Sequence, residues 1–136
     1  MALMFLNGSA MRDEPDHHLI ADSPFVRVAT TAPRYRFYAV GSNFPGLLPV
    51  AHGGAAITGE VYEMDLAVLR DRLLPAEPPE LELGVIELAD GEAVLGMLLR
   101  RPPVSFPQLT DITSLGSWRR FVSRESTKDG KAEVTP

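Results

Sequence analysis

The sequence predicts an α+β domain, a small, mostly antiparallel and closed β-sheet with flanking helices, and three observations carry that reading. Runs of strand length, alternating or continuously apolar, recur along the chain between Gly, Pro and Asn residues. Asp90-Gly91 separates two such runs as a two-residue hairpin signal. Helical spacing of apolar residues occurs in mid-chain and again near the end.

In chain order, Leu3 to Asn7 reads as a buried strand that stops at a tight Gly8-Ser9 turn. A polar stretch with Asp13, Glu14, Pro15, Asp16, His17 and His18 leads to a β-branched strand over Phe25 to Thr31, bounded by Pro33. Arg34 to Val40 alternates, with Tyr35, Phe37 and Ala39 on one face and Arg36, Tyr38 and Val40 on the other. Gly41 to Gly46 breaks the pattern, Leu47 to Val50 is a short strand, and Ala56 to Glu63 a longer one. In the longer strand Gly59 marks a bulge or a close backbone approach.

Asp65 is a good N-cap for a helix over Asp65 to Leu74, with Leu66, Leu69 and Leu73 as its apolar stripe and Pro75 as its end. Pro78-Pro79 makes the segment after Glu77 extended. Leu83 to Leu88 and Glu92 to Leu99 form the hairpin, and the second of these strands, apolar on both faces, is central in the sheet. After a stiff connector at Pro102-Pro103 and Pro107, Asp111 caps a final helix through about Val122 carrying Leu115, Trp118 and Val122. Residues 1–123 are one domain, and the polar, aperiodic residues 124–136 read as a disordered tail.

Composition bounds the chemistry. The 136 residues suit one core, and 45% hydrophobic with 23% charged residues is ordinary for a globular chain. With 13 basic against 18 acidic residues the net charge is −5, which argues against a nucleic-acid partner. The absence of cysteine excludes disulfides, thiolate nucleophiles and Cys-based metal sites. Adjacent His17 and His18 point in different directions and His52 is remote, so no metal or other cofactor is expected. No apolar stretch is long enough to span a bilayer, and a cytoplasmic protein is expected.

Phe5-Leu6-Asn7-Gly8-Ser9-Ala10-Met11-Arg12, followed by Pro15-Asp16-His17-His18-Leu19, resembles the start of γ-glutamylcyclotransferase-like proteins. In that superfamily a first strand ends in a Tyr-Gly-Ser or Tyr-Gly-Thr turn. Asn7 to Met11, Thr31 to Arg36, Gly53 to Tyr62, Glu77-Pro78-Pro79 and Asp111 to Arg119 are similar to the C-terminal domain of allophanate hydrolase, over roughly residues 3–123. Asn7 in place of Tyr fits that branch. The resemblance implies a small β-barrel with a pocket at the end of the first strand, where turn N–H groups hold a substrate carboxylate and a glutamate moves protons. Glu77 matches that glutamate by position. The Asn7, Gly8, Ser9, Ala10 and Met11 turn is the implied anion seat, with Tyr35 and His17 as further substrate-binding candidates and His18 open as the alternative to His17. The expected substrate is a small carboxylate-bearing amide or carbamate, as in the decarboxylation of N-carboxycarbamate, and a separately encoded amidase is an expected partner. A non-catalytic module that binds a metabolite or docks on an amidase is the alternative.

The residues themselves permit this chemistry without demanding it. Gly8 allows successive N–H groups to point inward as an anion nest, although such turns also merely reverse a chain. Glu77, between an apolar helix and two prolines, is placed for a desolvated, raised pKa, or else is a loop carboxylate like Glu80 and Glu82. Gly41-Ser42-Asn43 spells a similar turn at the wrong place and reads as a plain reversal. Arg34 and Arg36 lie opposite Tyr35 on a solvated face, and Ser9 lacks the elbow of a serine hydrolase.

Overall fold

A mixed sheet of eight strands organises the computed structural model, which describes residues 1–100 and 109–134. The strands are β1 (Ala2–Leu6), β2 (Phe25–Thr30), β3 (Tyr35–Val40), β4 (Phe44–Pro49), β5 (Thr58–Met64), β6 (Leu81–Glu87), β7 (Ala93–Leu99) and β8 (Leu109–Asp111). Their order is β2-β5-β1-β7-β4-β3-β8, with β6 on the other edge of β7. All described pairings are antiparallel except β1–β7 and β4–β7.

Those two exceptions position the site. β6 pairs with β7 from Leu81↔Leu99 to Glu87↔Ala93. On the opposite edge β1 holds the early part of β7 at Met4↔Leu95 and Phe5↔Gly96, and β4 takes over at Leu47↔Leu98. The end of β1 therefore meets the start of β4 beside β7, and the chain turns away there at Asn7.

The curled sheet closes on itself where β2 ends. Thr31 bridges Leu88, Ala32 N–H donates to Glu87 O at 2.9 Å, and Ala89 N–H donates to Thr30 O at 2.9 Å. Buried Thr31 reinforces the seam, its Oγ1 donating to Ala32 O at 2.8 Å and accepting from Ile57 N–H at 3.0 Å. Inside lie Met4, Phe5, Phe37, Leu47, Ile57, Val61, Ile86 and Leu88, all at most 1% exposed. Side chains of this size stabilise the fold by about 1.5–3 kcal/mol each when fully buried.

Several elements depart from the sequence expectation. β4 begins at Phe44 and runs through Pro45-Gly46, because the turn after Val40 is tight, with Asn43 N–H on Val40 O at 3.3 Å and Val40 paired to Phe44. Gly46 belongs in the strand for a steric reason, since a Cβ there would stand 2.4 Å from Leu99 Cδ2. Gly59 marks a close approach, its notional Cβ lying 2.5 Å from Phe5 Cζ and 2.6 Å from Leu6 O.

The mid-chain helix is three short pieces, α1 (Leu66–Val68), a π-helical turn (Leu69–Leu73) and α2 (Leu74–Ala76). Leu74 N–H reaches back to Leu69 O, and this wide turn carries the helix past Pro75, which has no N–H to offer. Pro75 thus lies inside the helix rather than ending it. Asp65 makes no side-chain cap bond. Leu69 and Leu73 are buried, but Leu66 is 61% exposed, so the apolar stripe is narrower than its spacing suggests. Glu77 is extended (φ −75°, ψ 144°), and Leu81 N–H closes a turn onto Pro78 O at 3.1 Å, so the double proline bends the chain after one extended residue.

The last helix, α3 (Trp118–Val134), starts later than expected because Asp111 is taken up elsewhere. Asp111 belongs to β8, a strand too short to show in the sequence, and its Oδ1 accepts from Thr113 N–H at 3.0 Å. Gly116 at φ +66° then redirects the chain, and Ser117 Oγ accepts from Arg120 N–H at 3.4 Å as the cap. Residues 124–134 continue the helix where the sequence reads as a tail; Arg, Glu, Lys and Ala in this stretch favour helix. Trp118 and Phe121 fix α3 to the sheet, with ring centroids 5.1 Å apart. The connector at Pro102-Pro103 and Pro107 lies outside the described residues.

Candidate functional site

Where β1 ends, the backbone is held from behind. Gly8 O accepts from Met11 N–H (3.1 Å), Ser9 O from Asp16 N–H (2.8 Å) and Met11 O from Glu14 N–H (3.1 Å). Ala10 O meets His17 Nδ1 at 3.0 Å, and Arg12 O accepts from Arg119 Nη2. With these consecutive carbonyls engaged, the N–H groups of Gly8, Ser9 and Ala10 carry no hydrogen bond among the described residues. Successive peptide N–H groups left free in a turn are the donors from which an anion-binding concavity is built.

Those same residues line a cleft together with Phe5, Leu6, Asn7, Phe44, Pro45, Glu77, Leu81 and Met97. Two of its lining residues carry polar groups without a protein partner. Asn7 Nδ2 is buried with no hydrogen bond, which is costly unless a ligand or water supplies an acceptor. The Glu77 carboxyl accepts no protein hydrogen bond among the described residues. Burial first, and the negative charge of Asp16 second, push its pKa up to about 7. Apolar walls, free N–H donors, an unpaired amide and a carboxyl group that exchanges its proton near neutrality are thereby gathered at one place.

Residues 2–123 match the family model of the allophanate hydrolase C-terminal domain. The chain belongs to that family.

Among solved structures, a uropathogenic E. coli-specific protein is 33% identical, with a TM-score of 0.82 over 90% of this chain and 95% of that one. Kluyveromyces lactis allophanate hydrolase aligns at 24% identity and a TM-score of 0.81, over 90% of this chain but 21% of the larger enzyme. An AIG2-like protein from Mus musculus shares the fold at 23% identity and a TM-score of 0.56, covering 82% of this chain and 85% of its own. None of the curated proteins matches the chain.

Of the residues singled out in this member of the allophanate hydrolase C-terminal domain family, Asn7, Gly8, Ser9, Ala10 and Glu77 come together in the cleft. Met11 is buried beneath the turn rather than lining the cleft. His17 stands behind it, bonded to Ala10 O and 5.9 Å from the Tyr62 ring, so it supports the turn. His18 is exposed on Pro15 O. Tyr35 lies apart from the cleft because its hydroxyl is engaged at the sheet seam, accepting from Glu87 N–H at 2.9 Å. Gly41-Ser42-Asn43 is a plain hairpin turn, yet the two residues after it, Phe44 and Pro45, form a cleft wall. Nothing in the local sequence marks those two, since only the β1–β7–β4 crossing brings them to the turn.

A wider hollow at the start of α3 includes Thr58, Thr113, Gly116 and Arg120. Two of its polar side chains are already used, Thr113 Oγ1 accepting from Phe37 N–H at 2.8 Å and Arg120 Nη1 donating to Leu115 O at 3.3 Å. No cluster of His, Asp or Glu suited to a metal occurs among the described residues, and no described helix is long and apolar enough to cross a membrane.

Proposed function

We propose that the cleft binds a small carboxylate-bearing amide or carbamate and that Glu77 exchanges a proton with it. The observation that carries this reading is that one cleft gathers unpaired donors and an unpaired carboxyl group: the Gly8, Ser9 and Ala10 N–H groups, Asn7 Nδ2 and Glu77. An anionic substrate seats its carboxylate on the turn and places a second oxygen at Asn7 Nδ2. Near neutral pH Glu77 holds its proton part of the time and can deliver it to a substrate nitrogen.

For N-carboxycarbamate the step balances as follows. The C–N bond to one carboxylate breaks, its electron pair stays on nitrogen, nitrogen takes the Glu77 proton, carbon dioxide leaves and carbamate remains on the turn. Solvent then reprotonates Glu77. Family membership and the likeness to part of the K. lactis allophanate hydrolase support this choice among carbamates. An amidase would generate such a substrate, and we take a separately encoded amidase to be the partner that supplies it.

Thermal shift with malonate, a stable mimic with CH2 in place of the central NH, tests the reading beside γ-glutamyl compounds and simple carbamates. Malonate should raise the melting temperature by mass action. Failure of every small carboxylate to do so at millimolar concentration would rule the cleft out as an anion site.

A further inference from the structure

We infer that Glu60, outside the cleft, is a positioning residue that holds the anion-seat turn in its binding shape through Arg12 and Arg119. This rests on the cleft reading for its functional meaning, while the clamp itself is read from separate contacts. Glu60 lies on β5 and is 4% exposed. Its Oε1 accepts from Arg12 N–H at 2.9 Å and from the Tyr62 hydroxyl at 2.8 Å. Its Oε2 meets Arg12 Nε at 3.4 Å and Arg119 Nη2 at 3.3 Å. The same Arg119 nitrogen donates to Arg12 O.

Residue 12 is thus gripped at both backbone polar groups, by a carboxylate from the sheet and by a guanidinium from α3. It is the first residue after the Asn7 to Met11 turn. Asp13, next along, has φ +67°, a left-handed conformation that costs a non-glycine residue about 1 kcal/mol. A backbone entering that conformation needs to be held.

Stability alone does not account for a carboxylate at this position. Burying one is costly, and apolar side chains of similar volume often stabilise as well as or better than a buried ion pair. What they lack is direction. A carboxylate bonded to one peptide N–H and flanked by guanidinium groups fixes where that peptide lies, and the peptide fixes the end of the turn. The motif Gly59-Glu60-Val61-Tyr62 carries both the anchor and its hydroxyl partner.

The test compares Glu60→Gln with wild type and with Glu63→Gln, a control at an exposed β5 position. The amide introduced by Glu60→Gln retains an acceptor but leaves the Arg12 guanidinium without its anion and Arg119 with only Glu14, 4.0 Å away. Two readouts are taken well below the melting temperature: the 15N-amide resonances of Gly8, Ser9 and Ala10, and malonate affinity by calorimetry. In Glu60→Gln the three amides should shift or broaden and malonate affinity should fall about tenfold, the scale of one lost charge-assisted hydrogen bond. Glu63→Gln should change neither. If Glu60→Gln does not fold, Arg119→Met is measured the same way, with Arg119→Lys expected to restore part of the affinity. Unchanged turn amides, or altered stability with unchanged affinity, would overturn the positioning role. Altered turn amides in a protein whose wild type ignores malonate would uphold the clamp and sink the anion-site reading instead.

Discussion

Gly8 sits so close to the Pro45 ring that a Cβ on residue 8 would lie 2.7 Å from Pro45 Cδ and 3.0 Å from Cγ. The contact joins the turn after β1 to the start of β4, across the point where those strands exchange places on β7. A proline ring cannot rotate away, so Gly8→Ala must displace either the turn or β4. We expect a destabilisation of about 1–3 kcal/mol, the usual cost of overpacking. Chemical denaturation of Gly8→Ala, Pro45→Ala and the double variant measures it. The double variant should recover most of the loss, and a strictly additive cycle would mean that the contact is not what limits residue 8.

The mid-chain helix gives a second contrast. Leu66 and Leu73 share one predicted apolar stripe, yet Leu66 is 61% exposed and Leu73 is 1% exposed. Leu73→Ala should cost about 2–5 kcal/mol and Leu66→Ala within about 0.5 kcal/mol of nothing. Equal losses in urea melts would show that the helix packs along the full stripe.

That contrast also marks what was legible in the sequence. Strand periodicity, the Asp90-Gly91 hairpin with Gly91 at φ +89°, and the centrality of β7 follow from local patterns, and all are found. The π-helical passage over Pro75 was not legible, because helical spacing of leucines is the same whichever hydrogen bonds accommodate a proline. At the candidate site, motif and setting single out Asn7 to Ala10 and Glu77, which the fold brings to one cleft. Tyr35 shares the motif-rich part of the chain, but its hydroxyl is committed to Glu87 N–H at the seam. Phe44, Pro45, Met97 and Glu60 acquire their places through strand order alone. A charged residue in a run otherwise buried, as Glu60 is between Gly59 and Val61, was the one signal that could have flagged it.

Glu77 should make stability, and on the proposed function binding as well, depend on pH. A carboxyl whose pKa rises from 4.5 unfolded to about 7 folded binds its proton more tightly in the folded protein. The group therefore costs the fold nothing below the unfolded value, where it is neutral in both states; the cost grows as pH rises between the two, and above about 7 it reaches roughly 3 kcal/mol. Glu77→Gln should be more stable than wild type at alkaline pH and close to it in acid. Malonate affinity, corrected for the ligand's own titration, should fall in wild type as pH passes through about 7 and like charges meet, and stay level in Glu77→Gln. Parallel pH profiles for the two proteins would remove Glu77 from the site.

Asn7 separates a binding role from a structural one. Its Nδ2 is buried without a partner, so the folded protein bears a desolvation penalty at that atom, ordinarily about 1–3 kcal/mol. If a ligand oxygen supplies the missing acceptor, removing the amide relieves the free protein and weakens the complex. Asn7→Ala should then melt at or above the wild-type temperature while binding malonate about tenfold more weakly. Asn7→Asp, which places an acceptor and a negative charge at the same point, should bind more weakly still. Loss of stability in Asn7→Ala with affinity intact would mean that the amide serves the fold and that the anion, if it binds, is held by the turn alone.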